Sequence, residues 1–531
     1  MCGIAIAVDW PDAEPTVRLL IAGILHRGDV TDPIVTPRPR TAMGTRRLRI
    51  VDAERAVQPQ FSCNGRLAVS FNGEIYNYRT LRRELGELGM TFRTDSDTEV
   101  LANALQAWGV RALERMVGMY AFVALDVETG EFLAARDPFG VKPLYVIQSK
   151  VGFLFCSEMK PLLDTVESAP VMLLPPGYAL SRRTCWRFKS PVYPRADATV
   201  AHDPRVLDAL LSEAVRVRLP SDLPVATLFS GGVDSTLIAH YARRFRPETP
   251  GYFVGNTDAP DYPYAAEYAA RTGFDLRLVP FEPDGEEAFA AIDHVVEITE
   301  SFEPNLVRGA VCSLMAAERM HRDGFRVALC GEGADELFCG YPPLEIAFCE
   351  NEAEARTIRD DCLGLMHRVS LQRVDRCSMR HQVETREPFL DPAVVGYALG
   401  LTADALVDGC SGLPRGKVAL RSLYDLHPQL PRMIRDRAKV PFGEGAGLAV
   451  TPSDSGWKRR FDALISDAEL REGQKEFAAF NIRSKEELYY LRRLARVIDV
   501  TRVPHLTDRA WISFPVAPNL EKLRAYAHFS L

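Results

Sequence analysis

Two kinds of hydrophobic patterning divide the chain. Up to about residue 190, short apolar runs are punctuated by turn residues. "GIAIAV" behind Cys2 is a continuous apolar run and predicts a buried first strand. "RLAVSFNGEIYN" and "GMYAFVALDVETGEFLAARDPFGVKPLYV" predict further strands, with "ETG" and "DPFG" as turns. Between them, "YRTLRRELGELGM" places Leu81, Leu85 and Leu88 on one helical face. "SDTEVLANALQAWG" predicts a helix with a capping box from Ser96 to Glu99 and a stop at Gly109.

A polar, proline-bearing stretch at residues 187–204 predicts a linker. Beyond it the period changes. "PRVLDALLSEAVRVRL" reads as an amphipathic helix and "PVATLF" as a buried strand that ends in a glycine-rich turn. "GYFVG", "PYAAEYAARTG", "DLRLVPF" and "RVALC" continue the alternation of strand and helix. Such alternation predicts a doubly wound parallel α/β domain. In "KEELYYLRRLARVI", the stripe Leu488, Leu491, Leu494 and Val497 predicts plain core.

Composition narrows the function classes. The 531 residues are 47% hydrophobic and 25% charged, which suits a globular protein of two or three domains. Net charge is −7 and basic residues are dispersed, which argues against a nucleic-acid partner. No apolar run approaches the roughly 20 residues of a membrane span, and no basic segment precedes "GIAIAV" as in a signal peptide. Eleven scattered cysteines show neither a CxxC pair nor zinc spacing. They predict free thiols in a reducing cytoplasm rather than disulfides.

Three places carry candidate chemistry. Removal of Met1 would leave Cys2 with a thiol and a free α-amine, a nucleophile and a base on one residue. In "TLFSGGVDST", Ser230, Gly231 and Gly232 turn a strand into a helix, where backbone N–H groups and the helix dipole suit a phosphate. Asp234 adds a carboxylate suited to Mg²⁺. In "VALCGEGADELFCGY" a second strand ends among Glu332, Asp335 and Glu336, so a metal held by Asp234 and Asp335 is expected. Lys439, in "DRAKVPFGEGAG", offers positive charge to a reacting phosphate. "SGLPRGKV" at 411–418 imitates a Walker A loop, but its glycines are too close and Val418 follows the lysine, so it predicts no phosphate loop.

Read in order, "MCGI", "LHRG", "RRLRIVD", "FNGEIYN", "SDTE", "RDPFGVKPLY", "SEMKPLL", "SGGVDS", "GEGADELF", "REPFLD" and "KEELYY" resemble the glutamine-dependent asparagine synthetases over nearly the whole chain. The resemblance implies an N-terminal-nucleophile αββα glutaminase domain, residues 1–195, joined to an ATP pyrophosphatase-type synthetase domain, residues 204–531. It implies that Cys2 attacks the glutamine amide and that Asn72 and Gly73 form the oxyanion hole. Arg47, with Ile50 and Val51 beside it, would hold the glutamine carboxylate, and Glu74 and Asp97 its α-amine. Leu228, Ser230, Gly231, Gly232, Asp234, Ser235, Val254, Cys330 and Gly331 would contact ATP. Mg²⁺ would sit on Asp234 and Asp335, while Lys439 and Glu332 would serve the adenylation and amide-forming steps. Expected substrates are L-glutamine, ATP and L-aspartate, and the expected assembly is a cytoplasmic homodimer.

The chain departs from the family pattern in three places. "HRGPD" becomes "HRGDVTDP", and "LSGEG" becomes "LCGEG". The family's "ETYDITTxRAS" becomes "ESFEPNLVRGAV" at 300–311, where Asn305, Leu306 and Ala310 replace hydroxyl side chains and Arg308 is kept. Fewer hydroxyls beside the acceptor change which polar groups can be satisfied there. An acceptor other than aspartate, such as a natural-product or sugar acid, is therefore the alternative. A β-lactam-forming relative would not need the intact glutaminase set, and a non-enzymatic regulator would need a broken site.

Overall fold

The computed structural model describes residues 2–191, 200–283, 285–438 and 456–508. Its residues gather into two units. One is built from the residues up to Pro191, with Ser378–Glu384 and the stretch beginning at Arg492; the other takes the residues between.

In the first unit the apolar run behind Met1 forms the fully buried strand Cys2–Val8. It lies in a seven-stranded sheet between Gly152–Cys156 and Thr41–Arg47, antiparallel to both. A six-stranded sheet is centred on Leu67–Ile75, Gly118–Asp126 and Phe132–Arg136, again antiparallel. Alternation sends Ile4, Ile6, Val8 and Met43 of one sheet against Ala68, Ala121, Val123 and Leu125 of the other. The opposite faces are covered by helices. Val69, Phe71 and Ile75 pack on Leu81, Leu85, Leu101 and Leu105, and Ala13–Gly23 covers the strands Cys2–Val8 and Thr41–Arg47. The layering is helix, sheet, sheet, helix.

Two local expectations need correction. Leu88 is exposed, because the helix Tyr78–Glu87 ends one residue before it. The Ser96 side chain accepts from Glu99 N as a cap should, but the reciprocal arm is missing. The Glu99 carboxylate instead accepts from the backbone N–H groups of Arg93 and Thr94.

In the second unit five strands form one sheet in the order Leu276–Val279, Gly251–Val254, Val225–Leu228, Val327–Leu329, Glu384–Arg386. The first four pair in parallel. Chain order runs outward on either side of Val225–Leu228, so the switch point lies at the carboxyl ends of Val225–Leu228 and Val327–Leu329. Leu488 and Leu491 are buried, as their stripe predicts; its continuation belongs to the first unit, where Leu494 is buried but Val497 is only half-buried. Residues 192–199 of the predicted linker lie outside the described residues, and the helix Pro204–Arg218 follows them.

The cysteines also differ from expectation. Cys349 and Cys410 form a disulfide across 61 residues of sequence, while the other nine are free thiols. Packing of the helix Pro342–Glu350 against the pair Val407–Asp408 and Arg415–Gly416 brings the two together. No local spacing announces such a pair. Among the described residues, no helix is long and apolar enough to cross a membrane.

Candidate active sites

Sheet register assembles the first site. Cys2 is directly opposite Arg47 on the neighbouring strand, so a pairing of main chains sets the two residues side by side. Asn72, fully buried on Leu67–Ile75, accepts from Cys2 N through Oδ1 at 3.0 Å. That bond leaves Asn72 Nδ2 as a buried donor with no hydrogen-bond partner among the described residues. Such an orphan is costly unless a ligand completes it. Gly73 follows at φ +157°, and a Cβ there would lie 2.1 Å from Met119 O. Only glycine fits so close to the neighbouring strand at this point.

Of the other residues expected here, Glu74 lies on the strand that carries Asn72 and Asp97 adjoins it. Asp97, at the start of its helix, accepts from Ile75 N at 3.0 Å, and Glu74 is buried on the adjoining strand. Ile50 and Val51 are half-buried in the loop after Arg47. Burial pushes the Cys2 thiol up to about 11, with Asp32 adding to the shift and Arg47 opposing it.

Two residues here were not singled out from sequence. Arg27 is fully buried; its Nε donates to Cys2 O at 3.3 Å and its Nη1 to Glu158 Oε1 at 2.9 Å. Gln58 lies with Nε2 3.9 Å from Cys2 Sγ, while its Oε1 accepts from Phe71 N. The "LHRG" match contains the first, and nothing in the spacing marks the second.

The second site lies at the switch point of the parallel sheet. Gly231 has φ +69°, and a Cβ there would lie 2.7 Å from Ala265 N, so the turn after Phe229 requires glycine. Ser230 and Ser235 hydroxyls are 3.1 Å apart, and Ser230 N donates to Ser235 Oγ at 3.2 Å, which closes the turn over the helix N-terminus. Gly331 comes close from the neighbouring strand, with its added Cβ only 3.1 Å from Asp234 Cβ. Cys330 and Val254 are buried at strand ends beside the turn, and Leu228 is half-buried.

Asp234 and Asp335 are brought together as expected, but a lysine stands between them. Lys417 Nζ is 2.5 Å from Asp234 Oδ2 and 2.5 Å from Asp335 Oδ1. This is the lysine of the apparent Walker A imitation. Its segment is indeed no phosphate loop, yet its side chain joins the site. Asp234 Oδ1 is buried without a hydrogen-bond partner among the described residues, an open acceptor suited to a hard cation. Among the described residues no group of three or more His, Cys, Asp or Glu could hold a metal alone. The open carboxylate oxygen beside a strand-to-helix turn fits a Mg²⁺ that arrives with phosphate oxygens.

Around this pair, Glu332 forms an ion pair with Arg373. Glu336 is pushed up to about 7, by burial first and then by Asp335 and Glu332, and Tyr341 donates to it at 2.8 Å. Lys439 lies outside the described residues. In the 300–311 segment, Glu300 pairs with Arg376 at 2.7 Å in full burial, and Arg308 Nε donates to Glu486 at 2.8 Å. Asn305 faces solvent, while Leu306 and Ala310 are packed in the core.

Comparison with known proteins adds the following. The family model described as a glutamine amidotransferase domain matches residues 1–173, and the asparagine synthase model matches 206–364 and 350–499. An asparagine synthetase [glutamine-hydrolyzing] of Triphysaria versicolor is 29% identical over 521 residues, covering 92% of this chain and 85% of the relative. Asparagine synthetase [glutamine-hydrolyzing] 2 of Arabidopsis thaliana is 30% identical over 462 residues, covering 84% and 78%. Among solved structures, glutamine phosphoribosylpyrophosphate amidotransferase from B. subtilis, complexed with ADP and GMP, aligns with 48% of this chain and 67% of that one, at 20% identity and a TM-score of 0.32.

Proposed function

The chain belongs to the glutamine-hydrolysing asparagine synthetases, and from that premise we propose which residues carry each half of the reaction. Glutamine is hydrolysed in the first unit, and ATP, L-aspartate and the released ammonia give L-asparagine, AMP and pyrophosphate in the second.

In the first half, Cys2 Sγ attacks the glutamine amide carbon once Met1 has been removed. The thiol, raised by burial, passes its proton to the freed α-amine. Asn72 works at both ends of its amide: Oδ1 orients the amine, as it now holds Cys2 N, and Nδ2 meets the oxyanion with the Gly73 N–H. The orphaned Nδ2 is the observation that carries this reading. Arg47 binds the substrate carboxylate, Ile50 and Val51 flank it, and Glu74 and Asp97 bind its amine. Ammonia leaves, and water hydrolyses the Cys2 thioester to glutamate. Transfer must be as ammonia, since ammonium has no lone pair to attack with.

In the second half, an acceptor carboxylate attacks the ATP α-phosphate and expels pyrophosphate. Ser230, Gly231, Gly232 and Ser235 cradle the leaving phosphates, with Leu228, Val254, Cys330 and Gly331 around the nucleotide. Asp234 and Asp335 would hold Mg²⁺, which neutralises phosphate charge when bound. Lys417, which lies between the two carboxylates, supplies positive charge to the phosphates, and Lys439 adds a second positive charge. Glu332 faces the acyl-adenylate as ammonia displaces AMP.

One observation favours the second reading, a different acceptor carboxylate: Leu306 and Ala310 bury apolar groups where the family pattern has hydroxyls. Glutamine labelled with ¹⁵N in its side-chain amide tests the whole route. With MgATP and aspartate the label is expected in the asparagine amide. Label that remains in free ammonia while aspartate stays unchanged contradicts aspartate as the acceptor.

A further inference from the structure

The departure "HRGDVTDP" brings Asp32 to the first site. Asp32 is 3% exposed and Arg47 6%. The carboxylate accepts from Arg47 Nε at 2.9 Å through Oδ2 and from Arg47 Nη2 at 3.1 Å through Oδ1, the bidentate geometry of a strong ion pair. Asp32 is itself fixed. Its N donates to Thr45 O at 3.0 Å, and Oδ2 also accepts from Gln58 N at 2.9 Å. Gln58 is the residue whose side chain lies beside Cys2 Sγ.

The donor count on Arg47 is informative. A guanidinium has five N–H groups. Two go to Asp32 and one, from Nη1, goes to Ala53 O at 2.7 Å. Among the described residues one N–H is left on each Nη, which is what a second carboxylate needs for a bidentate grip. Asp32 and Ala53 thus hold the fork in a single orientation with its remaining donors free.

We propose that Asp32 is a positioning residue for glutamine: it fixes the Arg47 fork that takes the substrate carboxylate, and ties it to Gln58 beside the nucleophile. This rests on the reading of Arg47 given above. Charge and orientation pull in opposite directions here. Asp32 repels an incoming carboxylate, so on charge alone its removal would tighten glutamine binding. Orientation wins because a free arginine must give up rotamer freedom on each binding event.

Asp32→Asn tests this with little change of volume. Its amide nitrogen would face donors, so the bidentate grip is lost. We expect KM for glutamine to rise about 10- to 100-fold, with kcat of glutamine hydrolysis within about 3-fold. Inactivation of Cys2 by a diazoketone analogue of glutamine, which carries the α-carboxylate, should slow in parallel. Labelling of Cys2 by iodoacetamide, which lacks it, should be no slower than in the parent, reporting an intact site. Arg47→Gln is the reference variant. If it raises KM and Asp32→Asn leaves KM unchanged or lower, Asp32 does not position the fork. If iodoacetamide labelling falls along with both kinetic constants, Asp32 is merely structural. If Arg47→Gln leaves KM unchanged, the reading of Arg47 fails and the proposal with it.

Discussion

Cys2→Ala is expected to lower glutamine hydrolysis by at least about 10³-fold, while aspartate-dependent exchange of pyrophosphate into ATP stays within about 2-fold of the parent. The first effect follows from the loss of the sulfur on which the proposed thioester is built. The second follows from the division of the chain into two units with separate cores. A companion pH profile reports the proton's destination. Burial holds the thiol neutral through the physiological range, with its pKa pushed up to about 11. In the proposed mechanism the base that receives its proton is the α-amine, whose ordinary value is about 7.7–8.0. An amine accepts only when unprotonated, so hydrolysis by the parent enzyme should rise as the pH climbs through that range and then level off. A rise that continues towards pH 11 would assign the titration to the thiol instead.

The second large effect is expected at Lys417. Lys417→Met should reduce pyrophosphate exchange about 10²- to 10³-fold and leave glutamine hydrolysis unchanged. Its ammonium lies 2.5 Å from carboxylates in the first turns of two separate helices. Removing one partner of a buried ion pair costs about 3–5 kcal/mol, so loss of folding must be separated from loss of chemistry. Lys417→Met combined with Asp335→Asn removes one charge of each sign. The pair should recover much of the unfolding temperature lost by the single variant, and none of the exchange activity. Recovery of both would make Lys417 a folding residue only.

The two sites differ in how far they could be read from sequence, for physical reasons. Chemistry borne by neighbours in the chain was legible. "FNGE" puts Asn72 and Gly73 on one strand, and "SGGVDS" puts Ser230 to Ser235 at one strand-to-helix turn, because local geometry sets both. The capping box was half legible: Ser96 caps its helix, but a nearer pair of N–H groups captures Glu99. Leu88 was misplaced by the position of a helix end, the least predictable feature of a periodic segment.

What escaped the sequence was set by distant pairings. Lys417 and Asp234 are 183 residues apart, and only the packed fold shows that one neutralises the other. Cys349 and Cys410 meet through helix packing, and their spacing follows no motif. Asp32 was visible only as an interruption of a pattern. Its partner is supplied by the register of strand Thr41–Arg47, whose last residue lies opposite Cys2.

The most direct test of the account is to incubate the purified protein with MgATP and glutamine, with and without L-aspartate, and to measure pyrophosphate and product mass together. The account predicts pyrophosphate release that depends on aspartate and is matched by asparagine. Glutamate formation with no aspartate-dependent pyrophosphate would contradict it, leaving a working glutaminase joined to a synthetase for another acid.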